Sequence, residues 1–316
     1  MKMRRRIEIL QVLPTLSPAD AVLEKAYVVH KLWLATDRAA FLAALGAEVR
    51  AVVTTGGGGA KAEVIDSLPA LEIISCFGVG VDAIDIPLCK ARGIAVTNTP
   101  DVLTNDVADM AIGLLLATLR RLPQGDRFVR SGKWLAGNFP LSDALGGKVM
   151  GIVGMGRIGQ AIGHRAEAFG VRVVYHGPRQ KPDLPQRYYP DLRKMAQESD
   201  ILMVACPGGA ATRNLVDAGV LHALGPQGYL INIARGSVVD EPALVTALQA
   251  GKLAGAGLDV FADEPKTPEL LWAMENVVLQ PHAGSATHQT RAAMGDLVVR
   301  NLAAHFSGEP LLTRYA

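Results

Sequence analysis

Three chemically capable side chains stand just beyond short apolar runs in the second half of the chain. They are Arg235 in INIARGSVVDE, Glu264 in GLDVFADEP and His282 in VVLQPHAGSAT. An arginine presents a carboxylate with a planar fork of donors. A histidine passes a proton to or from a carbonyl oxygen. A carboxylate on the second imidazole nitrogen favours the protonated ring and fixes its orientation. Singly, each has an ordinary reading: an arginine before glycine caps a turn, Glu-Pro is common in turns, and a lone histidine near a strand end is more often structural. Competing chemistry is absent. The other histidines (His30, His164, His176, His222, His288 and His305) form no metal-ligand spacing, so no metal is expected, and there is no G-x-S-x-G nucleophile elbow.

A second motif changes the weight of the first. GIVGMGRIG holds Gly154, Gly156 and Gly159 in G-x-G-x-x-G spacing, after an apolar strand and at the opening of the helical stretch RIGQAIGHRAEAFG, which is the context a dinucleotide fingerprint requires. Gly154 permits the tight turn, Gly156 lets the backbone approach a pyrophosphate, and Gly159 lets helix and strand pack closely. The helix N-terminus supplies unpaired N–H groups for that pyrophosphate. Beside such a site, Arg, Glu and His make a set that fits hydride transfer to a 2-keto acid. The next strand, VRVVYHG, ends where an acid would hydrogen-bond the ribose 2′-OH of NAD, yet RVVYHGPRQKP has none before Asp183. An acid there would repel a 2′-phosphate ~4 Å away by roughly 1 kcal/mol in water and about 4 near a protein surface. Its absence, with Arg179 and Lys181 nearby, leads us to expect NADPH, with NADH possible. The plain alternative is that Arg179 is a solvated surface arginine.

These residues need a scaffold of strand ends. Short β-rich runs (IEILQV, AYVVH, VRAVVT, LEIIS, IAVTN) alternate with helical segments such as DRAAFLAALG, with Asp37 as N-cap and Gly46 as stop. A second series starts at Lys148: KVMGIVGMG, VRVVYHG, DILMVACP, GYLINIARG, GAGLDVF and NVVLQP, each but the last followed by helical sequence. Alternation of this kind predicts parallel sheets with helices on their faces. Between the series lies a long helix, TNDVADMAIGLLLATLRRLP, with Thr104 as N-cap, Arg120 and Arg121 in its last turn and Pro123 as its stop. Its length suits a connection between two domains. The loop RSGKWLAGNFP carries Trp134 toward either an interface or its own domain. TTGGGGAK lacks the spacing of a phosphate loop and reads as a strand-to-helix turn. The last helix, THQTRAAMGDLVVRNLAAHF, has no later strand and is expected to return to the first domain.

The bulk numbers agree. The chain has 316 residues, enough for two domains, with 33 Gly and only 5% aromatics, a profile suited to buried parallel strands. Net charge is +2, from 32 basic and 30 acidic side chains spread along the chain, so no nucleic-acid partner is expected. Cys76, Cys89 and Cys206 read as free thiols of a reducing cytoplasm. The start MKMRRRIEILQV imitates a leader only briefly, because Glu8 and Gln11 break the apolar stretch. The run Val107 to Leu119 is shorter than the ~20 residues that span a bilayer, so no membrane is expected.

The segments CFGVGVDAID, VTNTPDVLTNDVAD, GIVGMGRIG, INIARGSVVDE, AGLDVFADEP and PHAGSATHQT together resemble the D-2-hydroxyacid dehydrogenase family over nearly the whole chain. HKLW, SCFGVGVDAID and YYPDL are most similar to its glyoxylate/hydroxypyruvate and hydroxyphenylpyruvate reductases. The resemblance implies an α/β fold of two Rossmann-like parallel-sheet domains: a flavodoxin-like substrate domain, 1–99 and 285–316, and a dinucleotide-binding domain, 100–284, with a cleft between them. It implies catalytic roles for Arg235, Glu264 and His282 and substrate-carboxylate binding by the backbone N–H groups of Val79 and Gly80. Thr104, Arg157, Ile158, Cys206, Pro207, Thr212, Ile233, Asp259, Gly284 and Ser285 match cofactor-contact positions, beside His176 and Arg179. It also implies a homodimer, with Trp134 near the partner's substrate. NADPH-using relatives typically carry Arg where this chain has Pro178, and Arg179 is one step later. The expected activity is NADPH-dependent reduction of glyoxylate and hydroxypyruvate. A 3-phosphoglycerate dehydrogenase is disfavoured because the chain has no room for a further regulatory domain and nothing basic near Val79 prepares for a phosphate. A formate dehydrogenase is disfavoured because the acid partner of His282 is Glu264. A dinucleotide-sensing protein that keeps the same triad is the alternative from another class.

Overall fold

The computed structural model of the protein describes residues 6–316. The basic start of the chain, on which the leader-like reading fell, lies outside the described residues through Arg5. The chain forms two compact units, Met1–Leu103 with Ala286–Ala316, and Thr104–Ser285.

In the first unit, β1 (Glu8–Gln11), β2 (Val28–Lys31), β3 (Val49–Thr55), β4 (Ile73–Phe77) and β5 (Ala95–Thr97) make one parallel sheet in the order β2-β1-β3-β4-β5. This is the flavodoxin-like order. Its central strands are buried on both faces, which is why they read as unbroken apolar runs rather than alternating ones; all five residues of β4 are buried. Leu10, Val52, Ile74 and Val96 meet in the core. The connecting helices are α1 (Ala19–Ala26), α2 (Arg38–Leu45), α3 (Ala62–Asp66) and α4 (Ile86–Ala91). Asp37 caps α2 by accepting from the Ala40 amide, and Gly46 ends it at φ 54°. In the glycine run, a Cβ on Gly59 would lie 2.3 Å from the Ala83 carbonyl oxygen, so the run serves a close chain crossing.

In the second unit, β6 (Val149–Val153), β7 (Arg172–His176), β8 (Arg187–Tyr189), β9 (Ile201–Val204), β10 (Tyr229–Asn232), β11 (Gly255–Leu258) and β12 (Val277–Leu279) form a parallel sheet in the order β12-β11-β10-β9-β6-β7-β8. The strand order reverses between β6 and β9, the switch point at which open α/β sheets bind ligands. Helices α5 (Thr104–Leu119), α6 (Leu122–Arg130), α7 (Arg157–Ala168), α8 (Leu192–Gln197), α9 (Ala218–Leu224) and α10 (Glu241–Gln249) complete the unit. Leu202, Val204, Leu230, Ala256 and Leu258 form its core. The last helix, α11 (His288–Ser307), packs on β4 and α1 of the first unit.

Four local readings are corrected. Thr104 is the first residue of α5 rather than an outside cap. That helix ends at Leu119 without a basic last turn, Arg121 takes a left-handed φ of 53°, and Pro123 lies in the first turn of α6. Proline lacks an N–H and is tolerated where that group is unpaired anyway, so here it starts a helix. The three-residue β8 is too short to carry a periodic signal. After β11 comes a loop with a single 3-10 turn, Glu269–Leu271, instead of an α-helix. Among the described residues, no helix is long and apolar enough to cross a membrane.

Candidate active site

The glycine turn follows β6. Gly154 has φ 100°, and a Cβ there would lie 2.5 Å from the Cys206 Cα at the end of β9. A Cβ on Gly159 would lie 2.2 Å from the Gly154 carbonyl oxygen, so strand and helix touch through these two positions. Gly156 differs: a Cβ there meets nothing within 4 Å, leaving the backbone open to a ligand. Gly156 precedes α7 without a side-chain cap, and the start of a helix presents backbone amides, here near Ile158, toward an external acceptor. The turn therefore fits a pyrophosphate. Cys206 is buried, and burial pushes its thiol up to about 11, so it acts as a small inert wall. The Thr212 hydroxyl donates to the Pro207 carbonyl (2.7 Å), closing the loop after β9, and Ile233 is buried behind it.

At the end of β7, His176 Nδ1 donates to the Tyr189 carbonyl (2.9 Å). The following loop is held at both ends: Tyr188 Oη donates to the Gly177 carbonyl (3.0 Å), and the Lys181 amide donates to Tyr175 Oη (2.8 Å). Arg179 lies between these anchors and is exposed.

Arg235, Glu264 and His282 come from three strand-end loops of this same sheet. Asn232 shapes the first loop, donating to the Arg235 carbonyl (3.0 Å) and accepting from the Ala234 amide (3.0 Å). A Cβ on the next residue, Gly236, would lie 1.9 Å from the Phe261 carbonyl carbon, so only glycine lets the loops after β10 and β11 meet. Glu264 accepts from the Phe261 amide (3.0 Å) and from His282 Nδ1 (2.7 Å). Burial opposes the charged form of Glu264. The His282 bond and charge, the Phe261 amide and the charge on Arg235 together outweigh it, holding the carboxyl below its usual range. Because Nδ1 faces a carboxylate it carries hydrogen, and Nε2 is the atom left to exchange a proton. A cavity of about 300 Å³ opens beside the pair, lined by Glu264, Pro265, Leu279, Pro281 and His282.

His282 adopts a left-handed φ of 52°. Asp259, 1% exposed, holds it there: its carbonyl accepts from the His282 amide (2.8 Å), and its carboxylate accepts from the amides of Ala283 (2.7 Å) and Gly284 (2.9 Å). Burial raises the Asp259 carboxyl above its usual range, although both amides pull it back. Asp259 and Gly284, expected at the cofactor, are thus also the brace of the histidine loop. Ser285 is half-buried just beyond it, and Thr104 is half-buried at the start of α5.

Val79 and Gly80 belong to the first unit, just past β4. Thr99 Oγ1 accepts from the Gly78 amide (3.0 Å), the Thr99 amide donates to the Gly78 carbonyl (2.9 Å), and Asn98 Nδ2 donates to the Val79 carbonyl (2.9 Å). The carbonyls are engaged, while the amides of Val79 and Gly80 donate to nothing among the described residues. Successive backbone amides without acceptors can take up an anion. Trp134 is 64% exposed, so packing on its own unit does not bury it. Sequence reasoning missed Asn98, Thr99 and Asn232, because a polar residue at a strand end carries no periodic signal.

The seven-stranded sheet, its switch point and its glycine turn define a nucleotide-binding α/β protein of the doubly wound class. Residues 112–284 match the family described as D-isomer specific 2-hydroxyacid dehydrogenase, NAD binding domain. The chain belongs to the D-isomer specific 2-hydroxyacid dehydrogenase family. It is 53% identical over 307 residues to glyoxylate/hydroxypyruvate reductase A of Arabidopsis thaliana, covering 97% of this chain and 98% of the plant protein. It is 50% identical to hydroxyphenylpyruvate reductase of Plectranthus scutellarioides with the same coverage. Among solved structures, the NADPH-dependent glyoxylate/hydroxypyruvate reductase of Sinorhizobium meliloti in complex with NADP and malonate is 48% identical, with a TM-score of 0.90 over 98% of this chain and 97% of that one.

Proposed function

We propose that this chain reduces glyoxylate and hydroxypyruvate to the corresponding 2-hydroxy acids with NADPH, accepting NADH less well. The observation that carries the reading is the 2.7 Å bond between His282 Nδ1 and Glu264, on a loop next to the one that bears Arg235. Relatives at 48–53% identity that bear the name glyoxylate/hydroxypyruvate reductase support the substrate class. Residues 1–99 and 285–316 serve as the substrate-binding domain and 100–284 as the dinucleotide-binding domain.

The Gly154–Gly159 turn and the α7 amides hold the pyrophosphate, and Arg179 attracts the 2′-phosphate that an acid would repel. The remaining cofactor positions named from the sequence contribute the walls of this site. When bound, the nicotinamide supplies the hydride. Arg235 and the Val79–Gly80 amides hold the substrate carboxylate, which fixes the carbonyl's orientation. His282 Nε2 gives its proton to the carbonyl oxygen, while Glu264 holds Nδ1 and keeps the ring oriented. Reduction uses the protonated imidazole and oxidation the neutral one. The exposed Trp134, Leu135 and Leu141 support a homodimer in which Trp134 approaches the partner's substrate.

The test is a matrix of initial rates: NADPH and NADH, each against glyoxylate, hydroxypyruvate, pyruvate and hydroxyphenylpyruvate. Strong turnover of a small keto acid with NADPH supports the reading. A preference for NADH overturns the cofactor assignment and leaves the chemistry. Tight dinucleotide binding without turnover of any acid supports the sensing protein instead.

A further inference from the structure

Arg291 has no role in the proposed chemistry, yet its setting is unusual for an arginine. It lies in the first turns of α11, half-buried, with its guanidinium carbon 5.4 Å from the centroid of the Phe77 ring. Burial lowers its pKa from the ordinary arginine value, and a guanidinium remains charged across the whole working pH range regardless. Among the described residues no carboxylate pairs with it, and its side chain rests on the ring alone. Other half-buried arginines of this unit have polar partners: Arg50 pairs with Glu72 at 2.6 Å, and Arg92 donates to the Leu68 carbonyl at 2.9 Å. A desolvated cation left without an anion is costly unless a ligand completes it.

Its position says which ligand. Phe77 ends β4, and Val79 follows two residues later, past a turn in which the Gly78 amide donates to the Cys76 carbonyl (3.1 Å). The open amides of Val79 and Gly80 therefore lie at the same end of β4 as the Phe77 ring that Arg291 covers. The sequence offered nothing basic beside Val79 because Arg291 arrives from the far end of the chain, on a helix that packs over β4.

We propose that Arg291 is a second anion-binding residue of the substrate site, selecting 2-keto acids that carry a further anionic group, carboxylate or phosphate, beyond the carbonyl. The proposal rests on the reading that Val79 and Gly80 receive the substrate's first carboxylate. Arg291 acts on specificity and has no part in proton transfer.

Three proteins decide it: wild type, R291M, which keeps an apolar cover on Phe77 without charge, and R291K, which restores the charge. Calorimetric titration with oxamate, a monoanion, and tartronate, a dianion, reads binding without turnover. The ratio of tartronate to oxamate affinity is expected to fall at least tenfold in R291M and to recover most of that in R291K. Equal weakening of both ligands, or of neither, overturns the proposal, and so does a ratio that R291K fails to recover. Values of kcat/KM for oxaloacetate and for phosphohydroxypyruvate, each relative to hydroxypyruvate, then separate the two anions. The arm that loses tenfold in R291M identifies carboxylate or phosphate, and loss in neither counts against the proposal. A wild type that turns over no 2-keto acid refutes the reductase reading, while the titration ratio still reports on Arg291.

Discussion

Replacing Asp259 by alanine should uncouple the histidine loop from the sheet. The carboxylate accepts from the Ala283 amide at 2.7 Å and the Gly284 amide at 2.9 Å. An orphaned buried N–H costs about 1–3 kcal/mol. The Gly284 amide is buried and the Ala283 amide only partly so, which puts the sum in the lower part of the range for two such groups, about 2–4 kcal/mol. Asp259 itself is buried with a raised pKa, so removing it also relieves some desolvation, and the lower half of that range is favoured. For a unit of this size 1 kcal/mol moves Tm by roughly 2–4 °C, so D259A should melt about 4–12 °C below wild type. The catalytic effect is separate. Left-handed backbone at a non-glycine residue costs on the order of 1–3 kcal/mol and persists only while its surroundings enforce it. Freed of its brace, His282 relaxes from φ 52°, and a displacement of about 1 Å can cost 100-fold in kcat. D259N keeps one acceptor oxygen and turns an NH2 toward the other amide, so it should fall between. Calorimetric melting and steady-state kcat on the three proteins test this. A D259A protein within 2 °C and threefold of wild type, both on the order of measurement noise beside these figures, would refute the brace.

Four further outcomes are expected. R235K keeps the charge but loses the planar fork, and KM for glyoxylate should rise about tenfold, the worth of one charge-assisted bond; an unchanged KM removes Arg235 from the carboxylate. H282Q should lower kcat by about 100- to 10,000-fold while dinucleotide binding by fluorescence persists. R179A should raise KM for NADPH about tenfold, with a far smaller change for NADH, and parallel changes with both cofactors would refute contact with the 2′-phosphate. Glu72 bonds the Arg50 guanidinium (2.6 and 3.0 Å) and His305 (3.0 Å), which together overcome burial and lower its pKa. A carboxyl lowered by folding stabilises the protein above its unfolded pKa and ceases to as pH falls through the folded value. The Tm gap between wild type and E72Q should therefore be full at neutral pH and shrink below about pH 4; a gap independent of pH would show that the pairing contributes nothing.

Much of this protein was legible in local pattern. The two strand–helix series, the caps at Asp37 and Gly46 and the glycine turn at Gly154 depend on residues a few positions apart, where backbone sterics and side-chain period act directly. Sequence also marked Arg235, Glu264 and His282, because site residues of open α/β sheets stand just past strands. It misread Pro123, whose missing N–H suits a helix start as well as a stop, and passed over β8, whose three residues are too few to establish an alternation.

What tertiary structure alone decided is how the marked residues are held and what joins them. Asp259 reaches Gly284 across 25 positions, and Asn98 reaches Val79 across 19. Arg291 meets Phe77 through a helix that crosses back to the first sheet. Such pairs have no signature in composition or periodicity. Parallel strands connected through helices bring distant segments side by side at one sheet edge, and only the packed sheet determines which polar atoms then lie within hydrogen-bonding distance.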